Sequence, residues 1–310
     1  MRPYLVLVGA AVLLALLDAG QGRFLTLTTL FSTLQTFATL GLVALGVGLS
    51  MLVREYDLSV AGMFGMAGTI AVLAGGEHAW LGLALALAAG LIGGALQGLI
   101  MVRLKLPSVG VTLGGLLVFA GIAYVLTESR SVSYPNMEVA LAVNDRIGGL
   151  FSIRSLVAIA LFAATALVLG MTRLGRDLIA VGSNRQGAVI AGVKVDALLI
   201  GTFAFSGLLA ALSGALVSYS LASAQPSGLA DVLVPATAAA ILGGVSLGGG
   251  TGRPLGIAAG MLTLAMLRSG LNAIEVPVFV HDMVMGGILL AVALLDAPAL
   301  ARRFSRFSTS

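Results

Sequence analysis

His78 and His281 are the only two imidazoles in the 310 residues, and the chain contains no cysteine. Thiolate catalysis, disulfide frameworks and Cys-ligated metals are therefore excluded together, and two histidines so far apart offer little for a His site. His281 precedes Asp282, a pair able to relay a proton, yet it falls near an expected outer headgroup boundary, where contact with a partner is the simpler use. The patterns H-E-x-x-H and G-x-x-x-x-G-K-[ST] do not occur, and Lys105 and Lys194 precede Leu106 and Val195, so no Walker A loop is present. The run Gly243-Gly244-Val245-Ser246-Leu247-Gly248-Gly249-Gly250-Thr251-Gly252 fails G-x-G-x-x-G in every frame and reads as a tight turn. What remains is a thin scatter of polar side chains inside apolar sequence: Gln35, Gln97, Thr112, Gln225, Asn272, His281 and Asp282. Such groups cost free energy in hydrocarbon unless they face a cavity or a partner, so Gln35, Gln97, Thr112 and Asn272 are the candidates for a solute path. Hydrogen bonding from helix to helix is the competing use. Asp57 is expected to cap the helix that follows it.

The elements that must position these groups are membrane-spanning. Of the residues, 59% are apolar and only 10% are charged, and the mean hydropathy is +1.09. Soluble domains have about 25% charged residues. Too little polar surface remains to cover a soluble protein of this length, so the chain is an integral membrane protein. A bilayer core about 30 Å thick takes about 20 apolar residues per helix. Stretches free of Asp, Glu, Lys and Arg then predict ten spans, near 4–20, 28–52, 58–75, 79–102, 107–126, 153–171, 198–220, 231–249, 254–271 and 277–295. The fold class is all-α, a polytopic transmembrane helix bundle forming a single domain over 1–310. Residues 1–20 are expected to be the first span rather than a cleaved leader, for want of a small-residue cleavage site. Gly90, Gly94 and Gly98 recur every four residues and predict a close helix–helix contact within the chain.

Basic residues set the orientation. With the N-terminus inside, Arg2, Arg54, Arg103, Lys105, Arg173, Arg176, Arg185, Lys194, Arg253, Arg302, Arg303 and Arg306 lie in the cytoplasm, against Arg23, Arg130, Arg146 and Arg154 outside. Twelve against four predicts both termini cytoplasmic. Two connections exceed a turn: 127–152, facing out, and 172–197, facing in. In the second, Ser183 or Asn184 can cap a short helix, Ala188, Val189 and Ala191 follow, and Gly192 suits a left-handed stop. A short helix is thus expected outside the membrane, either resting on headgroups or docking a partner.

Five segments in this order carry a resemblance: Asp57-Leu58-Ser59-Val60; Pro107-Ser108-Val109-Gly110-Val111-Thr112-Leu113-Gly114; the 175–193 loop; the 242–252 Gly-rich turn; and Gly270-Leu271-Asn272. From about residue 35 to Asp296 the chain resembles permease subunits of sugar-type ABC importers, the ribose, xylose and autoinducer-2 group. Arg268 stands where that pattern more often carries an uncharged residue. The resemblance implies an ABC importer permease fold in the bacterial inner membrane, moving a monosaccharide or small sugar-like solute. It implies that this chain is not an enzyme and binds no cofactor, ATP and Mg²⁺ belonging to a cytoplasmic ATP-binding subunit. Arg176, Asp177, Ser183, Asn184, Arg185, Ala188 and Gly192 would form the coupling segment toward that subunit. A periplasmic sugar-binding protein, a second permease subunit (a copy or a paralogue) and membrane lipid are the other implied partners, and nucleic acid is not one. The rival reading is a secondary transporter driven by H⁺ or Na⁺, which needs ionisable groups at the membrane midplane that the spans lack.

Overall fold

The computed structural model describes residues 2–17, 24, 26–227, 232–273, 275–277, 279–281, 283–288 and 290. Its elements are α1 (Arg2–Leu17), α2 (Leu27–Leu52), α3 (Val60–Ala74), α4 (Ala79–Leu104), α5 (Ser108–Leu126), β1 (Val132–Ser133), α6 (Met137–Asn144), α7 (Ile153–Met171), α8 (Arg173–Ser183), α9 (Arg185–Ile190), α10 (Val195–Ser220), β2 (Ser223–Ala224), α11 (Leu233–Leu242) and α12 (Pro254–Ala273). Six of them, α2, α4, α5, α7, α10 and α12, are long and apolar enough to cross a membrane.

Boundaries follow the local chemistry. Thr26 caps α2 by accepting the Thr29 N–H, and Ser152 and Ser155 cap α7 reciprocally. Pro107 precedes α5, and Pro254 occupies the first turn of α12, where its missing N–H costs nothing. Two expected spans are shorter than forecast. The eighth, 231–249, is helical only over Leu233–Leu242. At 1.5 Å per residue α11 is about 15 Å long, half the hydrocarbon thickness. The Gly-rich turn read from the sequence begins at Gly243, inside the expected span, and Gly244, Gly249, Gly250 and Gly252 have positive φ and turn the chain. The third expected span loses its first residues to an irregular, largely buried connection, 53–59. The tenth, 277–295, is described only at residues 277, 279–281, 283–288 and 290, and Asp282 lies outside the described residues.

At the centre, α2, α3 and α10 are enclosed by the rest; residues 40–53 are buried without a break. Helices α4, α5 and α7 surround this centre and turn Leu91, Ile92, Leu117, Val118, Leu167 and other apolar side chains outward, as lipid-facing helices must. Helices α11 and α12 pack on α2 from the other side, and α1 closes against α12. The glycine stripe of α4 meets α10 as expected: a Cβ on Gly90 would lie 2.6 Å from the Gly207 oxygen, one on Gly94 2.2 Å from the Phe203 oxygen, and one on Gly98 2.8 Å from the Ile200 Cα.

The connection 127–152 is more than a loop. Its β1 pairs antiparallel with β2, Val132 opposite Ala224, and α6 follows. Tyr134 then reaches back to the Gly75 oxygen at 3.0 Å, tying this plate to the end of α3.

Candidate functional site

Arg130, Arg146, Arg154 and Arg268 lie toward one end, and the structure gathers most of the described basic residues at the other. The ends of α2 and α8 and the turn before α12 meet there, and Pro3 of α1 lies 3.6 Å from the Cβ position of Gly244. Arg54, Lys105, the arginines of α8 and α9, Lys194 and Arg253 all belong to segments at this end.

Here the expected short helix is two helices. Helix α8 continues from α7 after Thr172, and the backbone turns at Asn184, whose side-chain oxygen accepts the Gly187 N–H at 2.9 Å and caps α9. Asn184, not Ser183, is the cap. Gly192 ends the unit at φ +82, the left-handed stop its type suggests. Arg176, Ser183 and Asn184 are exposed and Asp177 is half-buried. Ala188 is 3% exposed and packs inward, whereas Val189 and Ile190 are 57% and 83% exposed. A six-residue helix that points two aliphatic side chains away from its own bundle offers them to something else. Arg185 turns back instead, its Nη2 donating to Glu55 Oε1 at 2.5 Å.

The interior polar groups form two clusters. In the first, Asp57 is not the expected N-cap. Ser59 occupies that position in helical conformation and makes no side-chain cap bond. Asp57, 1% exposed, accepts from the Ser59 N–H at 3.1 Å and from its hydroxyl at 2.6 Å. Gln97 Nε2 of α4 donates to the same Ser59 hydroxyl at 2.9 Å, and Ser206 of α10 faces the carboxyl. Burial raises the carboxyl above its ordinary value, opposed by the Ser59 and Ser206 hydroxyls and the Ser59 N–H. Thr112 donates to the oxygens of Ser108 and Tyr56 at 2.9 and 3.1 Å, and Tyr56 N–H donates to Ser108 Oγ at 3.1 Å. Gln97 and Thr112 are thus brought to one connection, 53–59. Gln97 Oε1 has no donor among the described residues and points at Gly115 of α5, whose Cβ would lie 2.2 Å away.

The second cluster is at the opposite end. Gln35 Nε2 donates to Ser152 Oγ at 2.7 Å, while its Oε1 is buried without a donor among the described residues. Beside it Arg154, 6% exposed, donates to Thr39 Oγ1 and, at 2.8 Å, to Ser220 Oγ, which in turn bonds Asn144. No carboxylate pairs with this guanidinium among the described residues. Asn272 joins neither cluster; it is exposed on the last turn of α12, as is Arg268 one turn earlier. Sequence reasoning counted Arg154 only as an outer charge and passed over Glu55, Ser59 and Ser206. Arg154 stands one residue inside an apolar helix, a position that signals burial; the other three carry no such mark.

A recess of about 440 Å³ lies between α7, α8 and α10, lined by Leu49, Leu161, Leu178, Phe205 and similar side chains. Its polar groups are Thr165 and Thr202, and Thr202 already donates to the Leu198 oxygen at 2.8 Å. It cannot satisfy a polyol. Among the described residues no group of three or more His, Asp and Glu could hold a metal.

A family model described as branched-chain amino acid transport system / permease component matches residues 29–293. The chain belongs to this permease family. The ribose import permease protein RbsC of Escherichia coli K12 is 31% identical over 300 residues, covering 94% of this chain and 92% of that protein. The autoinducer 2 import system permease protein LsrC of Photorhabdus luminescens is 31% identical, covering 92% and 85%. Its counterpart in Yersinia pseudotuberculosis is 32% identical, covering 92% and 80%. No solved structure matches significantly. The permease is therefore a multi-pass membrane protein of transport, and membership of this family overrides the ion-coupled alternative.

Proposed function

We propose that this permease is the transmembrane subunit of an ATP-driven importer for a monosaccharide or small sugar-like solute. The observation that carries the reading is near full-length likeness to a ribose permease and to autoinducer-2 permeases. Chemistry belongs to the partners: a cytoplasmic ATP-binding subunit holds ATP and Mg²⁺ and hydrolyses the nucleotide, a periplasmic binding protein delivers solute, and a second permease subunit completes the conduit. The basic end is the cytoplasmic one, by the positive-inside rule, so both termini face the cytoplasm. Helices α8 and α9 dock the ATP-binding subunit, with Val189 and Ile190 as the apolar contact and Arg176, Asp177, Ser183, Asn184 and Arg185 around it. Closure of that subunit on ATP moves these helices and turns the bundle outward; hydrolysis resets it.

Gln97 and Gln35 are the interior groups that support a solute path. Each leaves a buried acceptor without a donor among the described residues, which costs about 1–3 kcal/mol unless a hydroxyl or water arrives. Thr112 serves to hold α5 against the 53–59 connection at the path's inner edge, and Asn272 stands at its outer end.

Two measurements test this. The complete complex in vesicles should accumulate labelled ribose-type sugars and not leucine; uptake of leucine alone would overturn the sugar reading. Ile190→Asp should abolish co-purification of the ATP-binding subunit and solute-stimulated ATP hydrolysis without altering the melting temperature. Normal stimulation in that variant would refute docking at α9. Ala188→Pro is the weaker probe, because Ala188 is buried and its N–H bonds the Asn184 oxygen at 2.9 Å.

A further inference from the structure

Helices α8 and α9 are covalently continuous with α7 and α10, so any movement they make reaches those two directly. The remaining helices are reached through contacts, and one junction concentrates them. Gly182, near the end of α8, lies against the last turn of α2: a Cβ there would be 1.9 Å from the Leu52 oxygen and 2.5 Å from the Gly250 nitrogen. Gly250 N–H donates to the Leu52 oxygen at 2.9 Å, and Gly249 and Gly250 hold φ of +73 and +71 to allow the approach. Backbone therefore rests on backbone among three segments, with no flexible side chain between them to absorb a displacement.

Three residues on, Arg185 grips Glu55 at 2.5 Å. The Arg185 side chain is 47% exposed and that of Glu55 13% exposed. Such a pair adds little to folding stability, but it joins the first residue of α9 to the connection 53–59. From Glu55 the connection runs inward. Its Tyr56 hydroxyl donates to the Leu247 oxygen at 2.9 Å, its Tyr56 backbone is bonded on both sides by Ser108 and Thr112 of α5, and two residues after Glu55 the Asp57 carboxyl, which Ser206 of α10 faces, holds the Ser59 hydroxyl that accepts from Gln97 of α4.

We propose that the 53–59 connection is a strut that carries movement of α8 and α9 into the bundle, with Glu55 receiving it from Arg185 and Asp57 delivering it through Ser59 to Gln97. Glu55 is then a positioning residue for transport: it touches neither solute nor nucleotide. The seven residues reach from the outermost helix pair to an unsatisfied acceptor on the solute path, and every polar side chain among them except that of Arg54 has a partner named above. The inference rests on α8 and α9 being the coupling helices.

The test is a double-mutant cycle in the complete complex, reading solute taken up per ATP hydrolysed, with co-purification of the ATP-binding subunit and melting temperature followed alongside. Glu55→Gln is close in shape and should leave assembly, melting and basal hydrolysis unchanged while lowering uptake per ATP about tenfold. Arg185→Gln should lower the same ratio to a similar extent, and the double variant should fall no further. A ratio within twofold of the parent for Glu55→Gln overturns the strut, and so does a double variant whose losses multiply to about a hundredfold. A failure of the coupling reading itself would show differently, as normal docking and stimulation in Ile190→Asp.

Discussion

Gly94 of α4 and Phe203 of α10 touch through their backbones: a Cβ on Gly94 would stand 2.2 Å from the Phe203 carbonyl oxygen. Contact between these helices depends on that missing side chain, because Phe203 is itself 1% exposed and cannot retreat. Gly94→Ala should lower stability by about 1–3 kcal/mol through forced separation of the two backbones. The control is Gly114→Ala on α5, where nothing lies within 4 Å of the new methyl. Melting temperatures of the two variants in detergent should differ clearly, with Gly114→Ala at or slightly above the parent.

Arg154 spans two hydroxyls with two nitrogens of one planar group, Thr39 on α2 and Ser220 on α10. A lysine has one ammonium and cannot serve both positions. Arg154→Lys should therefore cost about 1–3 kcal/mol, the penalty of a buried polar group left unmade. Thermal unfolding followed by tryptophan fluorescence checks it, and a melting temperature equal to the parent's would show that the guanidinium fork is not needed.

Asp57 accepts two bonds from Ser59 in a site that disfavours its charge. Asp57→Asn keeps an acceptor for both donors and should fold and transport at rates near the parent. Asp57→Ala leaves the Ser59 N–H without its partner and should lose about 1–3 kcal/mol of stability. Equal behaviour of the two variants in a melting assay would rule out the hydrogen-bonding role.

Orientation is directly testable because the background contains no cysteine. Ser183 and Ser133 are exposed at opposite ends of the bundle. In intact cells Ser133→Cys should react with an impermeant maleimide added outside, and Ser183→Cys should react only after the membrane is opened. Labelling of Ser183→Cys from outside would invert the topology.

Much of this architecture was legible from the chain alone. Apolar excess requires a membrane, stretches without charge mark the long helices, and the glycine repeat of α4 announces a close helix contact that α10 supplies. The cap at Asn184 and the stop at Gly192 are likewise local events: a side-chain oxygen over its own helix start, and a backbone angle only glycine adopts freely. Periodicity and composition act over a few residues, so they report what is settled within a few residues. Tertiary structure decided the rest. That α11 stops after ten residues, that 53–59 turns inward, that Asp57 holds the Ser59 hydroxyl which Gln97 meets rather than capping a helix, and that Arg185 finds Glu55, all depend on segments far apart in sequence meeting at one place. Burial of Arg154 is of the same kind. A polar residue in an apolar sequence must find a partner, but which helix brings that partner is fixed only when the whole bundle has packed.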